Sequence, residues 1–197
     1  MTPVRALPLT NNGSYNGIYL KPDQQKATTE VAFYTGDEQI VSTLGLRLIA
    51  GRVFTAADVR HVGFRSSEEP VAVIVSKAVA DKLYPHGDAL GKVIYLNIGA
   101  APTTIIGIVG RLQTPHVGGA DGDVPAYNSL IEPLRRDYHT TQYAVRAKPG
   151  REQAAMRAAR MALFAADPLR AIDEEDGIRT FSEIRARAYA GDVAWPP

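Results

Sequence analysis

The segment Pro70-Val71-Ala72-Val73-Ile74-Val75-Ser76-Lys77-Ala78-Val79-Ala80-Asp81-Lys82-Leu83-Tyr84-Pro85 decides how the rest of the chain is read. Its first half is a near-continuous β-branched run, the pattern of a strand buried on both faces. Ser76 is an N-cap residue for a helix from Lys77 to about Leu83, which Pro85 and Gly87 stop. Toward the C-terminus, Val93 to Leu96 and Thr103 to Val109 predict two further strands. The uncharged stretch between Lys92 and Arg111 approaches membrane-helix length, but Asn97, Pro102, Thr103 and Thr104 break it at the middle, so it reads as two strands and a turn. A loop from His116 to Pro125 follows, then a strand from Tyr127 to Ile131.

On either side of this block the order strand–helix–strand is expected. Thr29 to Tyr34 has the β-branched and aromatic content of a strand, Asp37 to Leu44 predicts a short acid-led helix that Gly45 ends, and Arg47 to Ala50 returns as a strand closing at Gly51. Gly17 to Leu20 reads as an edge strand before them. Later, Gln142 to Arg146 reads as a strand and Arg151 to Phe164 as a helix with an apolar stripe of Ala154, Ala158, Met161, Ala162 and Ala165. Leu169 to Ile172 is the expected returning strand, and Thr180-x-x-Glu183 a capping box for a last helix toward Arg187. The fold class is therefore α+β. A split two-unit strand–helix–strand subdomain (1–68 with 138–190) is expected to carry an inserted, mainly β subdomain (69–137), with 191–197 as a tail.

Composition narrows the function. Over 197 residues, 22 Lys+Arg meet 21 Asp+Glu, and 45% of residues are hydrophobic, which describes an ordinary globular unit and excludes a disordered tail. Near-neutrality gives no global attraction to phosphate and argues against a nucleic-acid partner. The absence of cysteine excludes disulfides, a thiolate nucleophile and Cys-ligated metals. Met1 to Thr10, with Pro3 and Pro8, lacks the apolar run of a signal peptide.

The chemistry-bearing patterns resolve mostly into turns. Gly87-Asp88-Ala89-Leu90-Gly91-Lys92-Val93 superficially resembles a phosphate loop, yet it has one residue too few between its glycines and no hydroxyl after the lysine. A helix also precedes it where a strand is required. His61, His86, His116 and His139 do not pair at helical metal-site spacing. His116 leads into Gly118-Gly119-Ala120-Asp121-Gly122-Asp123, a loop without the ligand spacing of a calcium hand. Ser76 has no nucleophile-elbow frame. Asp173-Glu174-Glu175-Asp176 reads as a solvated acidic run near Arg179, Arg185 and Arg187.

Thr43 to Phe54, closed by Asp58, then Pro70 to Ile74, Ala80-x-x-Leu83-Tyr84-Pro85, Leu90-Gly91-Lys92-x-Ile94 and Ile105 to Gly110 occur in an order and spacing that resembles the extracytoplasmic core domain of MacB/FtsX-like ABC transporter permeases. Val145 to Gly150, the alanine-rich helix and Asp176-Gly177-x-x-Thr180-Phe181 are similar to that domain's closing half. The resemblance runs from about Phe33 to Tyr189. Gly45, Gly51, Arg52, Phe54, Asp58, Pro70, Gly91, Lys92, Gly107 and Val109 carry it, each as a packing or turn element.

The resemblance implies a non-catalytic domain on the periplasmic side of the bacterial inner membrane, with no cofactor or metal. It would sit between the first two transmembrane helices of the permease. Its partners would be those helices, an ATP-binding subunit reached through the membrane domain, and, in some members, a periplasmic adaptor. A fragment with its two ends close together and Trp195-Pro196-Pro197 near the membrane is then expected. The alternative is a free-standing periplasmic ligand- or metal-binding protein or enzyme using the His116–Asp123 loop.

Overall fold

A computed structural model describes residues 1–63, 66–117, 124–137, 142–169, 171–172 and 177–190. The chain forms two compact units, Met1–Ala144 and Val145–Pro197. The first unit runs β1 (Thr2–Val4), β2 (Ser14–Ile18), β3 (Thr29–Thr35), α1 (Ile40–Thr43), β4 (Leu48–Gly51), β5 (Arg60–Val62), β6 (Ala72–Ser76), α2 (Lys77–Leu83), β7 (Val93–Ile94), β8 (Thr103–Val109), β9 (Ser129–Glu132), β10 (Leu134–Arg136) and β11 (Gln142–Ala144). The second unit contains α3 (Glu152–Ala166) and α4 (Phe181–Ala190).

A seven-stranded mixed sheet in the order β2-β3-β9-β6-β8-β4, with β7 also on β8, dominates the first unit. β3 lies parallel to β9 and β6 parallel to β8, while β6 and β9 are antiparallel. A parallel pair needs a crossover, and α2 supplies the one between β6 and β8. The sheet curls until its ends meet, since Tyr19 just beyond β2 exchanges two 2.9 Å backbone hydrogen bonds with Tyr95 just beyond β7. The bridge covers part of the edge, while among the described residues β4 pairs only with β8.

Both faces of the sheet are buried, and the alternation of side chains sorts them. Val31, Phe33, Val73, Val75 and Leu130 enter one core with Ile18, Ile94 and the α2 residues Val79, Ala80 and Leu83. Ala32, Tyr34, Ile74 and Ile131 enter the other, with Val4, Ile40, Val41, Phe54 and Leu112. This is why β6 reads as an unbroken apolar run. On β8 the alternation slips: Ile105 and Ile108 share the first core although three positions separate them. A register shift between Val73 and Ile74, which face Ile105 and Gly107 respectively, absorbs the extra residue.

Gly107 sits at that irregularity because nothing larger fits. A Cβ there would stand 2.4 Å from the Arg52 carbonyl oxygen and 3.1 Å from Ile74 Cγ1. Its partner across the ladder is Gly51, at φ +75°, where a Cβ would meet the Ile106 oxygen at 2.2 Å. Gly45, at φ +68°, ends α1 in a Schellman arrangement. Its N–H donates to the Ser42 carbonyl at 3.1 Å and that of Leu46 to the Val41 carbonyl at 2.9 Å.

Several expectations change. α1 is shorter than predicted because Asp37 is used differently, its carboxylate accepting from the Gln39 N–H at 3.0 Å and pairing with Arg135. β7 stops at Ile94, and beyond it only the Tyr95 bridge continues the pairing. The returning strand after α3 is not formed among the described residues, where Pro168 and Leu169 lie in a turn and Leu169 is exposed, with no neighbouring strand to pair it. β1, β5 and β10 were not anticipated. The large sheet takes β2, β3 and β4 from before residue 68 and β6 to β9 from after it, with β3 parallel to β9. The tail 191–197, and with it the distance between the chain ends, lies outside the described residues.

In the second unit, α4 begins at the predicted capping box. The Thr180 N–H donates to Glu183 Oε2 at 2.7 Å, and the Glu183 N–H donates back to Thr180 Oγ1 at 3.2 Å. α3 forms nearly where expected, but it buries none of its residues.

Gly107→Ala is expected to cost about 2–4 kcal/mol, since backbone must move to admit the methyl group. Gly91→Ala, also at a left-handed φ but with open space around it, is expected to cost only about 1–2 kcal/mol. Urea unfolding of the two variants checks the order.

Candidate functional site

The motif residues gather around three turns of the large sheet. At the first, β4 leaves through Gly51 and the chain folds back over residues 52–58. Arg52 grips Asp58 with both guanidinium arms, Nη1 to Oδ2 at 2.6 Å and Nη2 to Oδ1 at 2.8 Å. Asp58 Oδ2 also accepts from the Thr55 N–H and hydroxyl, each at 2.7 Å. These bonds, led by the one from Arg52, hold the Asp58 carboxyl well below the usual carboxylate range. The clamp leaves Phe54 pointing inward, where it is 3% exposed.

The second turn joins α2 to β7. Gly91, at φ +79°, donates its N–H to the Ile105 carbonyl at 2.8 Å. Lys92 reaches back to Asp88 at 3.1 Å, and that contact lowers the Asp88 carboxyl. A helix precedes this glycine turn and a strand follows it, the reverse of a phosphate loop. At the third turn, the carbonyl of buried Pro70 accepts from Thr103 Oγ1 at 2.7 Å and ties the entry of β6 to that of β8. Val109, fully buried, closes the other end of β8 between Ser76 and Leu48.

Ser76 fixes a different junction. Its hydroxyl donates to the Tyr127 carbonyl at 2.6 Å and accepts from the Ser129 N–H at 3.3 Å and, as the helix cap, from the Val79 N–H at 3.4 Å. Those bonds leave it no role as an activated nucleophile. The histidines are separate: His116 Nδ1 lies 2.8 Å from the Tyr15 hydroxyl, and His61 Nε2 lies 2.8 Å from Asp137 Oδ1. Among the described residues no group of three or more His, Asp or Glu could hold a metal ion. His139, the loop 118–123 and the acidic run 173–176 lie outside the described residues.

Sequence reading missed two buried polar features. Asp37, 3% exposed, pairs with Arg135 of β10 at 2.8 Å across 98 positions of chain. Tyr34 donates its hydroxyl to the Gln113 carbonyl at 2.6 Å, and burial pushes its phenol far up. Neither has a local signature, because each partner is supplied by a distant strand or loop. A cleft near these groups, about 220 Å³, is lined by residues that include Val4, Thr35, His61, Arg135, Arg136 and Asp137. Its cations are already engaged, Arg135 by Asp37 and Arg136 by the Ser66 carbonyl at 2.6 Å.

These turns define a scaffold domain, held by clamps, caps and close backbone contacts. The MacB-like periplasmic core domain family matches residues 4–162, and the chain belongs to that family. The macrolide export ATP-binding/permease proteins MacB of Neisseria gonorrhoeae and Neisseria meningitidis serogroup B are each 28% identical over 145 residues, covering 73% of this chain and 20% of theirs. The chain therefore spans about a fifth of the length of those relatives.

The periplasmic region of MacB from Actinobacillus actinomycetemcomitans superposes with a TM-score of 0.50 at 18% identity, covering 84% of this chain and 65% of that one. The extracellular domain of the ABC-type transporter YknZ from Gram-positive bacteria gives 0.51 at 17% identity, over 86% and 77%. These two likenesses establish a shared fold. No described helix is long and apolar enough to cross a membrane.

Asp58→Asn tests the clamp. A carboxyl whose folded pKa is depressed contributes stability that is present above its unfolded value near 4 and lost as pH falls toward the folded value. The variant is expected to be less stable than the wild type at pH 7, with the gap narrowing between pH 4 and pH 2 in urea titrations. The Arg52 side chain is 51% exposed, so screening keeps the difference modest.

Proposed function

We propose that this chain is the periplasmic part of an ABC transporter permease of the bacterial inner membrane. In this reading it carries ATP-driven motion of the adjoining transmembrane helices outward, to export or to a periplasmic partner. ATP is hydrolysed on a separate nucleotide-binding domain, and the residues of this chain act through shape and stiffness. An adaptor docked on the outer side is the natural recipient of the motion.

Family membership supports the location, and one structural observation supports the mechanics. β1 and β11 are zipped antiparallel, with Thr2 opposite Ala144, so the first strand of the first unit lies beside its last. Force applied at either strand enters the unit at the same place. From there it meets a curled sheet packed on both faces, whose dense interior resists deformation. The glycine contacts and the Arg52–Asp58 clamp hold the turns of that sheet, the role expected of signature residues in a stiff arm.

Macrolides, named for the Neisseria relatives, are the first cargo to test. Replacing residues 1–190 by a short Gly/Ser linker in the intact transporter is expected to leave ATP hydrolysis measurable and to abolish ATP-dependent macrolide efflux. Efflux at the wild-type rate without the domain would overturn the coupling role. A wild-type transporter that moves no macrolide would overturn the cargo assignment alone.

A further inference from the structure

The strand pair that begins and ends the first unit is unevenly anchored. β1 and β11 form a two-stranded sheet of their own, with Thr2 opposite Ala144, Pro3 opposite Tyr143 and Val4 opposite Gln142. On the β1 side, Thr2 and Val4 are buried, and Thr2 Oγ1 accepts from the N–H of buried Asp37 at 3.4 Å. The chain beyond β1 stays pinned as well. Ala6 joins Val4 in the core that holds Tyr34 and Ile74, and the Leu9 and Asn11 N–H groups donate to the Thr114 and Pro115 carbonyls at 3.3 and 3.0 Å.

β11 has little of this. Only Ala144 is buried, so the strand gives the core a single methyl group, while Gln142 and Tyr143 are exposed. No side chain of β11 makes a hydrogen bond or ion pair among the described residues. Pro3, in the middle of the partner strand, has no N–H to donate to it. A strand held by so short a ladder and one methyl group opens at far lower cost than β6, which is buried at every residue. The direction of load adds to the contrast. Val145 follows β11 directly and begins the second unit. Because the pair is antiparallel, the chain leaves β11 beside the point where it enters β1. Tension between those two points therefore meets the ladder one pair at a time, Ala144 first, then Tyr143 and Gln142.

We propose that β11 is a releasable strap: tension from the second unit peels it off β1, while β1 and the large sheet stay in place. Below release, motion passes into the first unit through the zipped pair. Beyond it, three freed residues supply about 10 Å of slack, and the sheet is spared further load. The strap thus sets an upper limit on what the stiff sheet must carry. Its use in transport rests on the coupling role proposed above, but its opening is a property of this chain alone.

The chain contains no cysteine, so a disulfide can be introduced without background thiols. Pro3→Cys combined with Tyr143→Cys places two thiols at directly opposed positions, within the spacing a disulfide accepts, and Tyr143 is 39% exposed. Native-state hydrogen exchange of the 197-residue chain, read by mass spectrometry, tests the strap. Gln142–Ala144 is expected to exchange at least about 100-fold faster than Ala72–Ser76. Oxidation of the double variant is expected to slow Gln142–Ala144 at least about ten-fold, and reduction to restore the faster rate, the reduced protein serving as its own folding control. Because the measurement uses this chain alone, its outcome is independent of whether the transporter couples motion through the domain. Equal protection of the two strands, or an oxidised variant that exchanges as fast as the reduced one, would overturn the proposal. So would failure of the disulfide to form, since the strands would then not lie paired.

Discussion

Burial of the large sheet on both faces is the constraint on which the rest of this structure depends. A strand such as Ala72–Ser76, with every residue buried, cannot expose a polar side chain on either side. Each such strand therefore demands two layers of cover. One layer is α2 with the interior of the curl, and the other is the N-terminal segment, α1 and the folded-back turn that carries Phe54. At about 25 cal/mol per Å² of apolar surface removed from water, each fully covered Ile or Val contributes roughly 1.5–3 kcal/mol. That gain is available only if the covering segments approach the backbone closely, which explains why glycine occupies positions 51 and 107.

Several of the polar groups admitted to this interior tie separate segments together. Ser76, Thr103 and Ser129 are buried, and each hydroxyl donates to a carbonyl of another segment: Tyr127, Pro70 and Leu112 respectively. Asn128, also buried, donates to Thr29 Oγ1 at 3.1 Å and to the Glu30 carbonyl at 3.2 Å. Such bonds contribute little over bonds to water, but breaking one leaves a buried partner unsatisfied. The polar core thus fixes which strands lie beside which, while the apolar core supplies most of the stability.

How much of this was legible in the sequence follows from the same physics. β3, β6, α2 and β8 were readable because burial on two faces writes a dense apolar signal, and Ser76 and the Thr180–Glu183 box because caps are local. β5 and β10 were not, since Arg60-His61-Val62 and Leu134-Arg135-Arg136 are short and mostly charged, and only each other's backbone makes them strands. The returning strand after α3 failed for the converse reason: Leu169 to Ile172 has a strand's composition, but its described residues pair with no strand. The motif positions were legible as turns and packing points, but that Gly51 faces Gly107, or that Arg52 holds Asp58 with two arms, required the ladder to be seen.

The positions singled out in the sequence make physical sense as a record of where the chain must turn, cross or approach itself. Gly45, Gly51, Gly91 and Gly107 meet backbone constraints, Arg52 with Asp58 and Lys92 with Asp88 hold loops, and Pro70 and Val109 sit at strand ends. A binding pocket would instead demand side chains converging on one space. A domain specified by its turns can keep its stiffness while its surface is free to vary.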